Sequence, residues 1–186
     1  MDYRTILLKK VPLRLQKTNN LGLFPLYSMI TGVYGSNIDT YLSLEEKRIN
    51  TSVGESKVKY LFKFICDMTG DIKYAYGTKG TTNDRYVKNT FTHNTSENIF
   101  TGNINFKPYG FWKYEVYEVT WNGTVGVNDT NAPNSETETL TVNDNNGVVR
   151  GKVEEGKLYI QETSGQEQVR YTKYEPTTQT NYLYTN

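Results

Sequence analysis

Hydrophobic and charged positions alternate most regularly between residues 111 and 121. Trp112, Tyr114 and Val116 occupy every second position, and charged residues stand between them. Residues two apart on a strand share a face, so these three side chains are predicted to point into a core. Because aromatic and β-branched residues favour strands, we predict that 111–121 is the central strand of a β-sandwich.

The alternation changes parity in the second half of this strand. Tyr117, Val119 and Trp121 continue at period two, but on the opposite face from Val116. Either a β-bulge reverses the strand near Tyr117, or the second half is covered on both faces. The pattern leaves both alternatives open.

Similar strand patterns recur along the chain. The clearest covers 58–66, and its predicted core face carries Tyr60, Phe62 and Phe64. A turn follows, in which Gly70 is free to take positive φ. Further strands are predicted over 72–76, 85–92, 98–106 and 153–161.

Residues 122–147 are polar and acidic, rich in Asn, Asp, Thr and Gly. Within them, 137–142 is predicted to form a short ribbon with 147–149. The only helical pattern is the segment 43–48, whose first and fourth residues fit a capping box but which is too short to stand alone.

About seven short strands separated by turn signals predict an all-β fold, an antiparallel β-sandwich of immunoglobulin-like type. The spacing of Gly110, Trp112 and Tyr114 is similar to that in the sixth strand of immunoglobulin-like folds. We expect the sandwich to span 58–164, with a core that includes Tyr60, Phe62, Phe64, Trp112, Tyr114 and Val116.

The two ends of the chain are predicted to be extended arms. Residues 1–57 read as an edge strand interrupted at Pro12, followed by an irregular segment with many Gly and Pro breakers. Residues 165–186 carry many tyrosines but too few aliphatic residues for a core of their own. Apolar residues without an internal face normally contact another chain. The candidate interface residues are Leu23, Phe24, Leu26, Tyr34, Tyr171, Tyr174, Tyr182 and Tyr184.

Composition narrows the possible partners. The chain has 21 basic and 20 acidic residues, so it has no bulk attraction to nucleic acid or to an anionic membrane. No apolar run approaches the length of a transmembrane helix. The first four residues lack the apolar core of a secretory signal, so we expect synthesis in a reducing cytoplasm. The single cysteine, Cys66, excludes an internal disulfide and is expected to be buried.

The residue types needed for catalysis are scarce. His93 is the only histidine, and Cys66 lies in an apolar strand, where burial makes a thiol a poor nucleophile. Glu154 and Glu155 are adjacent, so their side chains should point to opposite faces of a strand. We therefore predict no catalytic residue, no cofactor and no metal site.

The order of several short motifs resembles that in small virion structural proteins of tailed bacteriophages, including crAss-like phages of Bacteroidetes hosts. The resemblance covers roughly 58–160. It rests on Tyr60-Leu61-Phe62-Lys63-Phe64, Asp67-Met68-Thr69-Gly70-Asp71, Gly110-Phe111-Trp112-Lys113-Tyr114-Glu115-Val116-Tyr117-Glu118 and Val153-Glu154-Glu155-Gly156-Lys157.

This resemblance implies a non-enzymatic structural component of a virion, either capsid-associated or part of the head–tail neck. Its expected partners are capsid, portal, neck or tail subunits, in many copies, with no membrane and no specific nucleic acid. The alternative is a carbohydrate-binding β-sandwich module, because tyrosine and tryptophan on a β-face can stack on sugars as well as fill interfaces.

Overall fold

The computed structural model describes residues 28–83 and 85–163, which form two β-sheets and three single-turn 3₁₀ helices. The 3₁₀ turns are Glu45–Lys47, Glu55–Lys57 and Ile99–Thr101. The strands are β1 (Ser28–Val33), β2 (Ile38–Leu42), β3 (Val58–Cys66), β4 (Ile72–Tyr76), β5 (Thr78–Asn83), β6 (Tyr86–His93), β7 (Asn103–Ile104), β8 (Gly110–Thr120) and β9 (Val148–Gln161). This part of the chain is therefore mainly β, as predicted.

The strands pack as a β-sandwich-like pair of sheets. The first sheet has the order β1-β9-β8-β3-β4, in which β1 is parallel to β9 and the other neighbours are antiparallel. The second sheet has the order β2-β6-β5, and the short β7 pairs with β6 in parallel. The predicted central strand is observed as β8, which lies between β9 and β3.

Strand β4 passes into β5, and thus from the first sheet to the second, through Gly77 alone. A Cβ atom at this position would lie 2.7 Å from Asn89 Cβ and 3.0 Å from Phe91 Cζ. Only glycine fits this close approach of backbone to the second sheet. The chain therefore turns the corner of the sandwich without a loop.

The main core lies between the two sheets. All six residues predicted for it are buried: Tyr60, Phe62, Phe64, Trp112, Tyr114 and Val116. The ring of Phe91 in β6 meets Phe62 edge-on at 4.8 Å and Phe64 at 5.3 Å, so aromatic contacts join the sheets. Such edge-to-face pairs stabilise a core beyond the area that they bury.

The apolar positions of β8 switch from even to odd numbers because the second half of the strand is buried on both faces. Strand β8 pairs with β3 in one unbroken register from Trp112 to Thr120, so it does not reverse near Tyr117. The register shifts occur against β9, which contributes the extra residues Val153 and Arg150. Residues at even positions of β8 therefore face the main core, and those at odd positions face outward.

The N-terminal arm, predicted to extend to residue 57, ends earlier in the chain. Residues 28–57 belong to the sandwich, because β1 and β2 are members of the two sheets and Ile30, Ile38 and Leu42 are buried in the main core. Local periodicity could not show this, because β1 pairs with β9 more than a hundred residues away along the chain. Residues 1–27 and 164–186 lie outside the described residues, so the arms predicted there remain predictions.

A buried carboxylate, which the sequence analysis missed, fastens the connection between β2 and β3. Glu118 is fully buried on the inner face of β8. It accepts the backbone N–H groups of Ile49 at 2.6 Å and Asn50 at 3.0 Å. A buried charge needs hydrogen-bond partners of this kind, and here irregular backbone supplies them.

Two local predictions were wrong. The ribbon of 137–142 with 147–149 does not form, and a cleft of about 290 Å³ separates these segments instead. The capping box at 43–48 is also absent. Ser43 Oγ donates to the carbonyl oxygen of Arg85 at 2.8 Å, and only the 3₁₀ turn Glu45–Lys47 follows. Val148 and Val149 pair with Thr120 and Val119 of β8 instead of with 137–142. In both cases a contact distant in sequence replaced the local hydrogen bonds.

Candidate functional site

The outer face of the first sheet, turned away from the second sheet, divides into two halves. One half is covered by residues 122–147, which we call the covering segment. Beneath it, four outward-facing side chains of the sheet and its margin form a second core with Ala132 of the covering segment. They are Leu61, Tyr76, Val119 and Trp121. This is why β8 is apolar on both faces in its second half.

The covering segment is fully described and contains no strand or helix, so hydrogen bonds from the sheet hold it in place. Trp121 Nε1 donates to the carbonyl oxygen of Asn131 at 3.1 Å, and the Tyr76 hydroxyl donates to that of Pro133 at 2.7 Å. Gly147 N–H donates to the same Asn131 oxygen at 2.8 Å. Buried backbone groups of this irregular segment are thereby satisfied.

Charged groups mark the edge of the covered half. Glu136 of the covering segment accepts hydrogen bonds from Lys63 Nζ and from the Tyr74 hydroxyl, each at 2.5 Å. Burial acts to raise the pKa of this carboxyl group, but the hydrogen bonds outweigh it and the pKa is lowered. Glu136 therefore ties the covering segment to β3 and β4.

A second buried carboxylate continues this boundary onto β8. Glu115 accepts from Lys113 Nζ and from the Tyr117 hydroxyl, each at 2.8 Å. Burial would raise the pKa of Glu115, but these hydrogen bonds and the nearby Lys152 lower it to about 2. The group is thus held as a paired anion, which does not suit a general acid or base working near neutral pH.

Beyond this boundary, no segment among the described residues covers the outer face of the first sheet. The Phe111 ring lies 4.7 Å from the Tyr159 ring and is 49% exposed. Met29 is 56%, Met68 66% and Ile72 51% exposed. With the half-buried Ile65 they make up the uncovered part of this face, which we call the open half: Met29, Ile65, Met68, Ile72, Phe111 and Tyr159. In the strand register Lys157 and Lys113 stand between Met29 and Ile65, so apolar and charged side chains are interspersed here.

Paired charges lie within the open half and beside it. Lys157 Nζ lies 2.6 Å from the Asp67 carboxylate, next to Phe111 and Tyr159. Lys152 Nζ lies 2.5 Å from the Glu155 carboxylate toward the boundary. Exposed aromatic and methionine side chains interspersed with paired charges are the composition of a protein–protein contact rather than of a catalytic cleft.

Most of the predicted interface residues lie outside the part of the chain that the structure describes. Tyr34 is the single one within the described residues, and its ring packs edge-on against His93 at 4.6 Å and Tyr109 at 4.8 Å. Lys107 Nζ lies 5.5 Å from the centre of the same ring. Tyr34 is therefore taken up by contacts within the chain. The others lie outside the described residues: Leu23, Phe24, Leu26, Tyr171, Tyr174, Tyr182 and Tyr184.

The residues considered for catalysis are dispersed. Cys66 is buried in the main core, and His93 packs edge-on against Tyr34. Glu154 pairs with Lys47, whereas Glu155 pairs with Lys152. Among residues 28–83 and 85–163, no group of three or more His, Cys, Asp or Glu side chains is placed to hold a metal ion.

The open half was not predicted from the sequence, although the alternation of residues along β8 indicates part of it. Phe111 alternates with Trp112, so a core position for Trp112 already places Phe111 on the outer face. Met68 lies in a turn and Met29 in a segment without clear period, so neither carries such a signal.

Comparisons with protein-family models, curated proteins and solved structures gave no match to this chain. In the described part of the chain, no helix is long and apolar enough to cross a membrane.

Proposed function

We propose that this protein is a non-enzymatic structural subunit that packs against further copies of itself through the open half of its first sheet. The observation that carries this proposal is the contrast on one sheet face. The chain buries one half under its own covering segment and leaves Phe111, Met68 and Ile72 exposed on the other. Several large apolar side chains exposed together on one sheet face normally mark a contact with another molecule.

A second copy is the occupant that the chain itself indicates. Segment 1–27 joins the sheet at β1, next to Met29, and segment 164–186 follows β9, which carries Tyr159. At about 3.3 Å per extended residue, 164–186 is long enough to cross five strands spaced about 4.8 Å apart. If each copy lays these segments on its neighbour, the predicted interface tyrosines meet the open half in a repeating assembly.

The assembly that we assign to it is the virion of a tailed bacteriophage, at the capsid or the head–tail neck. This assignment is supported by the motif order over 58–160 alone. Capsid, portal, neck or tail subunits would then be its further partners.

We also assign the sandwich to the immunoglobulin-like class. In the variable type, strands C′, C, F and G share one sheet, while B, E and D belong to the other. We match C′, C, F and G to β4, β3, β8 and β9, and B, E and D to β2, β6 and β5. This matching follows both the chain order and the sheet order. Strand β8, with Gly110 and Trp112, then stands at the sixth position. The parallel strand β1 is an addition at the edge of β9.

Light scattering after size exclusion tests the proposed self-association. The full chain should show a mass that rises with concentration, and Phe111→Glu should shift it to monomer, because an unpaired charge at this position loses its hydration on contact. Tyr41→Glu, on the second sheet, is the matched control and should leave the mass unchanged. A monomer at every concentration, or equal behaviour of the two variants, would contradict the proposal.

A further inference from the structure

The outer face of the second sheet carries a different kind of exposed surface. Tyr41 in β2 is 54% exposed and Tyr86 in β6 is 38% exposed. Their ring centres are 5.4 Å apart, with the planes at 75°. The two strands are paired antiparallel, so both rings stand on one rigid face. The structure thus displays two aromatic rings toward solvent at fixed spacing.

Oriented polar groups lie beside these rings. The Asp39 carboxylate accepts from Thr90 Oγ1 at 2.6 Å and lies 2.8 Å from Lys88 Nζ. The same Lys88 Nζ is 5.7 Å from the centre of the Tyr41 ring. Asp39 and Lys88 neutralise each other, yet each keeps exposed surface for further hydrogen bonds. The face therefore offers donors and acceptors without a net charge from this pair.

Strand β5 places a residue without a side chain beside this pair. Gly80 is exposed, and a Cβ atom there would lie 3.4 Å from the Lys88 side chain. Gly80 therefore adds no side chain next to Lys88. Because the two ring planes stand 75° apart, one sugar ring stacks on one of the two tyrosines.

The chemistry of this face differs from that of the open half. The open half has methionine and isoleucine around its aromatic pair, as in a protein contact. The second face has two tyrosines and a neutral Asp39–Lys88 pair instead. A pyranose ring has an apolar C–H face that packs on aromatic rings, and equatorial hydroxyls that need donors and acceptors at the edge.

We propose that Tyr41 and Tyr86, with Asp39 and Lys88 beside them, form a binding site for a neutral polysaccharide. The rings would carry the stacking contact, and the charged pair would bind hydroxyl groups along the edge of the sugar. The site is separate from the open half, so it functions whether or not the chain self-associates.

Affinity electrophoresis of the full chain tests this site, in gels containing a soluble β-glucan, a mannan or a xylan. At least one of these neutral polysaccharides should retard the protein. Tyr41→Ala and Tyr86→Ala should each lower the association constant on the order of tenfold, which corresponds to the loss of one stacking contact. Tyr41→Phe and Tyr86→Phe keep the rings and should retain binding within about threefold.

Val142→Ala, at an exposed apolar position of the covering segment that belongs to neither proposed surface, is the control and should bind as the parent does. Both tyrosines are exposed, and thermal melts of the variants check that the fold is kept. Absence of retardation by all three polysaccharides would overturn the proposal. Retardation that survives in the double variant Tyr41→Ala/Tyr86→Ala would also overturn it. If that double variant keeps sugar binding but no longer self-associates, the two tyrosines form a protein contact instead.

Discussion

The covered and open halves of the outer sheet face are built from the same strands but stabilised in different ways. In the covered half, Trp121 and Tyr76 are buried beneath a segment that has no regular structure. In the open half, Phe111 and Ile72 occupy equivalent outward positions and remain about half exposed. Strand alternation therefore decides which way a side chain points. Whether that side is buried depends on what another segment can cover.

The boundary between the halves shows what such a cover requires. At the boundary, Glu136 of the covering segment accepts hydrogen bonds from Lys63 and Tyr74 of the sheet. Its backbone groups are satisfied by the Trp121 and Tyr76 side chains, which have one polar atom each. Tyrosine and tryptophan suit this position because they bury a large apolar area and still donate a hydrogen bond. The open half lacks a comparable donor among its exposed aliphatic residues.

The largest effect should come from removing the centre of the covered half. Trp121→Ala should lower the free energy of unfolding by about 3–5 kcal/mol, because it leaves a cavity and removes one of the two hydrogen bonds to the Asn131 carbonyl oxygen. Phe111→Ala, at the matching place in the open half, should cost less than about 1.5 kcal/mol, because half of its ring is already in water. Urea melts of both variants measure the difference, and equal losses would remove the distinction between the halves.

A smaller loss should follow from pushing the covering segment away from the sheet. A Cβ atom at Gly147 would lie 2.6 Å from Trp121 Cζ2, so Gly147→Ala should cost about 1–3 kcal/mol through overpacking. Gly54→Ala is the control, since Gly54 has φ −65° and an added Cβ atom would meet only Ser56 Oγ, at 3.9 Å. That variant should be neutral or slightly stabilising in the same urea melts. A tolerated alanine at 147 would show that the segment rests only loosely on Trp121.

Sequence reasoning succeeded where one local period decides the structure. Strands β8 and β3 follow from alternation, and so does the inward face of Phe62 and Trp112. It failed where a contact joins distant segments. Strand β1 depends on parallel pairing with β9, and the covering segment depends on isolated apolar residues such as Ala132 among polar ones. Neither has a period of its own, so no local pattern could predict them.

Acidification should loosen the boundary. The pKa values of Glu136 and Glu115 are lowered in the folded protein, so the folded state binds protons more weakly than the unfolded chain. Their stabilisation is complete above the unfolded pKa of about 4.3 and is lost as the pH falls toward the folded value, about 2 for Glu115.

Glu136→Gln should therefore lower the free energy of unfolding by about 1 kcal/mol at pH 7 and flatten its decline between about pH 4.5 and 2. The measurement is a set of urea melts at pH 7, 4.5, 3 and 2. Glu46→Gln, at an exposed carboxylate, is the control and should follow the parent. Parallel curves for the parent and Glu136→Gln would mean that this carboxylate does not hold the covering segment.

The smallest effect on stability is expected from the open half, and it should coincide with a clear effect on association. Met68 lies in the turn between β3 and β4 and is 66% exposed, so Met68→Ser should change the free energy of unfolding by no more than about 0.5 kcal/mol. It removes apolar area from the proposed contact, so the concentration needed for self-association should rise several-fold. Urea melts and light scattering on the same samples separate the two quantities. A variant that loses stability but not association would mean that Met68 serves the fold of its own chain, and the open half would then be a surface left over from folding rather than one kept for a partner.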